Sequence, residues 1–238
     1  MAQFVLVHGA FHGGWCWSRV AERLRAAGHA VLTPTQTGLG ERRHLLSAAI
    51  TLDTFVDDIC GVLEAEEVQD AVLVGHSFGG ISITGVADRM PERVRHLVYL
   101  DSRILEAGQS MQDVDAERSG TWRRMAEASG GLAIPPPPAS YFDCPDPADA
   151  AWIARRLTPH PLGTFTTPLN LANPVLGNGR PCTYVACTDP VYPWLEASRQ
   201  WARGREGWGW AEIAAGHDAM VSAPAELAEL LVRIAGTD

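Results

Sequence analysis

The chain predicts an α/β fold, with a mostly parallel sheet covered by helices on both faces. Three observations point there. Short runs of consecutive apolar residues alternate with amphipathic helical segments, the runs stop at Gly, Pro or a polar residue, and the alternation is present near both ends of the 238 residues. A strand without polar interruptions has no face to offer water, so it belongs inside a sheet. Residues 4–7 (Phe-Val-Leu-Val) are the first such strand, ending at His8-Gly9. Residues 18–27 then place Val20, Leu24 and Ala27 on one helical face and stop at Gly28, a natural helix end. Residues 30–33 are a second strand closed by Pro34, and 52–64 a helix with Phe55, Val56, Ile59, Val62 and Leu63 inward. Residues 71–74 are the third strand, 79–87 a helix of small residues, and 94–100 the fourth strand.

From about 104 to 181 the alternation breaks. Two amphipathic pieces near Trp122 and Trp152, the run Pro135 to Pro138, and the aromatics Tyr141, Phe142 and Phe165 read as an inserted helical lid, with the prolines as a stiff connector. Strands resume at 183–187 and near 209–213, about six in all. A final helix is expected from Ser222 as its cap and Pro224 in its first turn, burying Leu227, Leu230, Leu231 and Ile234. Residues 1–238 are thus expected to form one domain carrying a lid.

Composition narrows the function. Hydrophobic residues make up 46% of the chain, enough for a full core. All 19 basic residues are Arg; against 28 acidic residues they leave a net charge of −9. Without lysine there is no Schiff base and no phosphate-binding lysine, and without a basic footprint nucleic acid is not an expected partner. The five cysteines are scattered, with no metal-binding spacing, and read as reduced thiols of a cytoplasmic protein. No run is long enough to cross a membrane, and no signal-peptide pattern opens the chain. The acidic groups Asp57-Asp58 and Glu64, Glu66 and Glu67 read as a solvated helix face, and a homodimer is possible.

Gly75-His76-Ser77-Phe78-Gly79 fills the pattern G-x-S-x-G between a predicted strand and a predicted helix. That context forces a serine into a strained turn with its hydroxyl exposed, and the glycines are required because side chains would collide across so sharp a turn. A serine needs a base to become nucleophilic. His217, on a loop between the last strand and the final helix, is at the sheet edge where Ser77 should emerge, and the order Ser then His fits. His8 and His12 are expected to shape the site, and the other histidines to pack or face solvent. An oxyanion needs two donors; the backbone N–H of Phe78 and that of Ala10, with Phe11 as the nearby alternative, are the candidates.

The blocks at 4–17 (FVLVHGAFHGGWCW), 75–80 (GHSFGG) and 216–220 (GHDAM) resemble the α/β-hydrolase branch that contains plant methyl-ester esterases, hydroxynitrile lyases and bacterial esterase-like relatives. The resemblance covers nearly the whole chain and is weakest in the lid. It implies an α/β-hydrolase fold, an acyl-enzyme on Ser77 and no cofactor or metal. The lyases of this branch carry Thr where Gly9 stands and Lys where Asp218 stands; an aspartate there would repel a cyanide leaving group, so both positions look esterase-like. The acid of the triad is open between Asp101, which ends the strand at 94–100 in a Leu-Asp-Ser that resembles the Leu-Asp-Ala of bacterial relatives, and Asp189, 28 residues before His217 but one residue early for the plant pattern. Asp101 is favoured, and Asp218 is a distant third, expected to point away from the His217 ring.

The expected function is hydrolysis of a carboxylic ester or lactone of a small, aromatic or apolar substrate. Phe11, Trp122 and Tyr141 are the candidate substrate-binding residues, while Trp15, Trp17, Trp194, Trp201, Trp208 and Trp210 are expected mostly to pack. The alternatives are a non-hydrolytic enzyme on the same fold (a carbon–carbon lyase, cyclase or dehydratase) or a silent binder.

Overall fold

A computed structural model of the chain describes residues 1–142 and 144–236. The strand–helix unit repeats through β1 (Gln3–Val7), α1 (Ser18–Ala26), β2 (Ala30–Leu32), α2 (Leu52–Ala65), β3 (Ala71–His76), α3 (Gly79–Arg89) and β4 (Val94–Leu100). Residues 101–181 then leave the sheet. They contain α4 (Met111–Val114), α5 (Ala116–Ala126), β5 (Ala133–Ile134), α6 (Pro147–Ala154), β6 (His160–Pro161) and α7 (Leu162–Thr166). The unit resumes with β7 (Cys182–Cys187), α8 (Glu196–Arg203), β8 (Trp208–Ile213), α9 (Ala219–Ser222) and α10 (Pro224–Gly236). The six long strands form one parallel sheet in the order β2-β1-β3-β4-β7-β8, while β5 and β6 pair antiparallel outside it.

The central strands are mostly apolar because both of their faces are covered, with Arg95 and His96 near the start of β4 and Thr183 near the start of β7 as the polar exceptions. On one side Phe4, Leu6, Val72, Val74, Val98 and Leu100 pack with Val20 and Leu24 of α1 and Leu227 and Leu231 of α10. On the other, Val5, Val7, Leu73, Leu97 and Tyr99 pack with Val56 and Ile59 of α2 and Ile83 and Val86 of α3. The entry to α2 is set by the Thr54 hydroxyl, which accepts the Thr51 N–H at 3.1 Å.

Two local expectations need correction. Ser222 is not the cap of the last helix: it ends α9, its hydroxyl donates to the Asp218 carbonyl at 3.3 Å, and the chain breaks at Ala223 (φ −136, ψ 53) before α10 begins. Nor does the acidic pair on α2 simply face solvent. Asp57 is solvent-facing and pairs with Arg89. Asp58 turns inward, where it accepts the Thr37 N–H at 2.6 Å and the Thr37 hydroxyl at 2.7 Å and so ties down the loop after β2.

The contact that matters most for the site is that of α3 on β1. A Cβ on Gly79 would lie 2.7 Å from the carbonyl oxygens of both Val7 and His8, and one on Gly75 would lie 2.7 Å from the Gly79 carbonyl. Backbone has to move if either residue gains a side chain. Gly79→Ala is therefore expected to lose about 1–3 kcal/mol in urea unfolding; a loss below about 0.5 kcal/mol would mean that the helix can lift away without strain.

Candidate active site

All six strands of the parallel sheet end on one edge, and the residues that follow them meet there. The sheet ladder continues one residue past β3 and β4: the Ser77 N–H donates to the Leu100 carbonyl at 3.1 Å and the Asp101 N–H to the Val185 carbonyl at 2.8 Å. Pinned in this way, Ser77 turns at φ 51 and Asp101 at φ 37, and Phe11, in the loop after β1, turns at φ 67. Each such non-glycine turn costs on the order of 1–3 kcal/mol. Three of them at one edge of the sheet mark a place where backbone comfort yields to side-chain direction.

His217 precedes α9 and presents its ring at this edge. Its Nδ1 lies 2.7 Å from Asp101 Oδ2. A carboxylate only accepts, so Nδ1 carries a hydrogen and Nε2 is the ring nitrogen left for other chemistry. The Tyr192 ring stacks on the imidazole at 4.0 Å and 15°, which fixes the ring plane. Asp101 is fully buried, and its second oxygen accepts from Arg199 Nη2 at 2.8 Å and from the Cys187 N–H at 3.4 Å. Arg199, buried on α8, also donates through Nη1 to the Tyr192 carbonyl at 2.7 Å. One guanidinium thus orients both the carboxylate beneath His217 and the loop whose ring lies on it. Asp189, the alternative carboxylate, is exposed, and its backbone N–H donates to the Ala215 carbonyl at 3.2 Å.

A second buried charge pair lies beside the first. His12 Nδ1 is 2.8 Å from the Ala10 carbonyl and Nε2 is 3.1 Å from Asp218 Oδ2, so both ring nitrogens face acceptors and both must donate: the ring is an imidazolium. Burial by itself would lower the His12 pKa, but the Asp218 carboxylate outweighs it and the pKa ends above its ordinary value. Burial would raise that of Asp218, and His12 in turn holds it below the usual range. Asp218, as expected, is directed at His12 and not at the His217 ring. Burial holds three further imidazoles, His8, His76 and His160, in the neutral form. His8 donates to the Gly9 carbonyl and accepts the Gln36 N–H, and burial pushes its pKa down to about 3. His76 donates to the His217 carbonyl at 3.0 Å, with Nδ1 unpartnered. His160 accepts the Phe11 N–H at 3.3 Å. Burial holds both His76 and His160 well below the ordinary value.

These residues surround a cavity of about 180 Å³, lined at its base by Ala10, Phe11, Ser77, Phe78 and His217. The Ser77 hydroxyl has no hydrogen-bond partner among the described residues and shares the cavity with the His217 ring. The Phe11 N–H is committed to His160, whereas those of Ala10 and Phe78 donate to no described residue. Trp122 and Tyr141, from residues 101–181, line the opposite wall, as do Pro135 and Pro137. The other tryptophans lie elsewhere: Trp17 is buried in the core, Trp201, Trp208 and Trp210 pack on the outer sheet face, and Trp194 is exposed. Among the described residues no group of His, Cys, Asp or Glu is arranged to hold a metal ion.

The model of the alpha/beta hydrolase family matches residues 4–230. The chain belongs to that family. Among curated proteins, this α/β-hydrolase is 42% identical to a carbendazim-hydrolyzing esterase of Nocardioides sp. (strain SG-4G), over 98% of this chain and 100% of that one. It is 36% identical to an alpha-hydroxynitrile lyase of Arabidopsis thaliana, but over only 42% of this chain and 39% of the lyase. Among solved structures it resembles an extracellular α/β-hydrolase from a Paenibacillus species, with a TM-score of 0.85, 25% identity and 100% of both chains covered.

Sequence reasoning on this α/β-hydrolase missed the two buried arginines, Arg199 and Arg103. Arg199 is 98 residues from the carboxylate it meets. Its one local signal is an Arg on the buried face of α8, in a segment that the strand–helix pattern left blank. Arg103 carried no local signal at all.

Proposed function

We propose that this α/β-hydrolase cleaves a carboxylic ester or lactone of a small apolar or aromatic molecule through an acyl-enzyme on Ser77. The observation that carries the reading is the 2.7 Å contact between His217 Nδ1 and the buried Asp101 carboxylate, at the wall of the cavity into which strained Ser77 opens. The Nε2 lone pair takes the hydroxyl proton as Ser77 Oγ attacks the carbonyl carbon. The imidazolium so formed is stabilised by Asp101. The N–H groups of Ala10 and Phe78 receive the oxyanion; that neither is engaged elsewhere, while the Phe11 N–H is, supports Ala10 over its neighbour. His217 then protonates the leaving alcohol and activates the water that releases the acid.

Residues 1–238 act as one domain in this reading, and the segment at about 104–181 serves as a lid, supported by its contribution of Trp122, Tyr141 and the two prolines to the cavity wall. Phe11, Trp122 and Tyr141 contact the substrate. Ester cleavage, rather than cyanide release, is supported by Asp218: where the lyases of this branch carry a lysine this chain has a buried carboxylate, and the His12 imidazolium beside it is already paired with that carboxylate at 3.1 Å. The five cysteines are free thiols, which supports a reducing compartment such as the cytoplasm. No helix among the described residues is long and apolar enough to cross a membrane.

A fluorophosphonate probe tests the proposal. The native protein should be labelled at Ser77 and hydrolyse short aryl esters, and Ser77→Ala should do neither. A folded native protein that resists the probe would remove the acyl-enzyme from consideration.

A further inference from the structure

The cavity holds an unused charge. Arg103 lies two residues beyond Asp101, its N–H bonded to the Ser77 carbonyl at 3.1 Å. Its side chain lines the same cavity and is only 8% exposed. A guanidinium has five N–H donors, yet none of those of Arg103 makes a hydrogen bond to a described residue. Among the described residues its ion-pair partner is Asp115, whose Oδ2 stands at 3.6 Å.

That carboxylate is already engaged. Arg118 approaches the same Asp115 oxygen at 3.3 Å, donates to the Tyr141 hydroxyl and lies over the Trp194 ring at 4.4 Å. Among the described residues, one Asp therefore faces two guanidiniums. Arg118 spreads its charge over aromatic faces and two acceptors, while Arg103 has only the long ion pair to Asp115. Burial lowers the Arg103 pKa, offset in part by Asp115, but an arginine remains charged. A cation so nearly buried, lining a cavity with one long ion pair and no side-chain hydrogen bond to a described residue, is costly to fold around unless something else accepts from it.

We propose that Arg103 is the seat for a carboxylate carried by the substrate, so that the preferred esters are aromatic esters bearing a free acid group. The rest of the wall fits a ring: Phe11, Phe78, Phe142 and Phe165 offer apolar surface, and Arg103 with Arg118 supplies the charge. This rests on the esterase reading for turnover but not for binding. A planar guanidinium matches a carboxylate with two parallel N–H···O bonds, which a neutral amide cannot reproduce because one of its two heteroatoms is itself a donor.

The test uses the ortho, meta and para acetoxybenzoates, the corresponding acetoxybenzamides, and phenyl acetate, together with calorimetric binding of benzoate and benzamide to Ser77→Ala. In the native enzyme at least one acetoxybenzoate should exceed its amide in kcat/KM by about tenfold or more, chiefly through KM, and benzoate should bind Ser77→Ala more tightly than benzamide by a similar factor. Arg103→Met should reduce both ratios to near unity, and Arg103→Lys should retain part of them; a cooperative melting transition establishes that each variant is folded. Equal treatment of acid and amide, or a preference that survives Arg103→Met, overturns the proposal. If phenyl acetate is cleaved without any preference for the acid, the seat fails and the esterase stands. If benzoate binds through Arg103 but no ester is cleaved, the esterase fails and the seat stands.

Discussion

Asp101→Asn should lower kcat by about 10⁴-fold, the size of a tautomer error in a serine triad, with little change in KM. The geometry says which way the new amide must lie. Its oxygen has to replace Oδ1, because Arg199 Nη2 and the Cys187 N–H both donate there. The amide NH₂ is then presented to His217 Nδ1, where the native carboxylate oxygen had accepted at 2.7 Å. Two donors cannot share that position, so the ring moves its hydrogen to Nε2 and loses the lone pair that should receive the serine proton. Neutralising Asp101 also leaves Arg199 buried without a counter-ion, at about 3–5 kcal/mol, so rates must be referred to folded protein. Asp189→Asn, at an exposed residue, should change kcat by less than about threefold. Steady-state kinetics with an aryl ester on the two variants decides the matter, and the opposite ranking would give Asp189 the role.

Acid should destabilise this protein unusually steeply. His8, His76 and His160 are buried and neutral, all with pKa values below the ordinary one, that of His8 at about 3. In the unfolded chain each takes up a proton near pH 6.5. Below that pH the unfolded state binds protons that the native state refuses, so stability falls as pH falls. Three such groups give a slope of about 4 kcal/mol per pH unit, against a total stability of about 5–15 kcal/mol for a typical domain. The His12–Asp218 pair does not offset this. The raised His12 pKa contributes stability that is complete below pH 6.5 and is lost as pH rises through its native value, while the lowered pKa of Asp218 contributes above about pH 4 and is lost only in stronger acid. Urea unfolding at pH 7, 6 and 5 should show the slope, and His160→Gln should make it shallower by about a third whatever its stability at neutral pH. A flat profile between pH 6.5 and 5 would mean that these rings are protonated in the native state.

The buried strands were legible because the constraint on them is local. A strand covered on both faces is apolar along most of its length, and the runs at residues 4–7 of β1, 71–74 of β3, 97–100 of β4 and 184–187 of β7 are. The elbow was legible for a similar reason: Gly75 and Gly79 are demanded by contacts within a few residues of Ser77 or with the adjacent strand. Residues 101–181 were mostly opaque. The two-residue strands β5 and β6 and the four- and five-residue helices α4 and α7 are too short to express a period. The cap misassigned to Ser222 shows the same limit, since a helix that breaks for one residue and restarts reads as a single helix.

By itself, then, the sequence determined a parallel sheet, a serine on a strained turn and a histidine on a loop at the same edge, each set by neighbours in the chain or by uniform burial. Only the tertiary structure decided which carboxylate lies under His217, that Arg199 holds it there, that His12 and Asp218 form a second charged pair, and that Arg103 lines the cavity without a side-chain hydrogen bond to a described residue. Asp101 and Asp189 follow adjacent strands, and the Leu-Asp-Ser around Asp101 favoured it only by resemblance; what separates them physically is which one is buried. Partners 98, 116 and 206 residues apart meet through long-range packing, and pairwise electrostatics in a dry interior leaves no periodic trace in the chain.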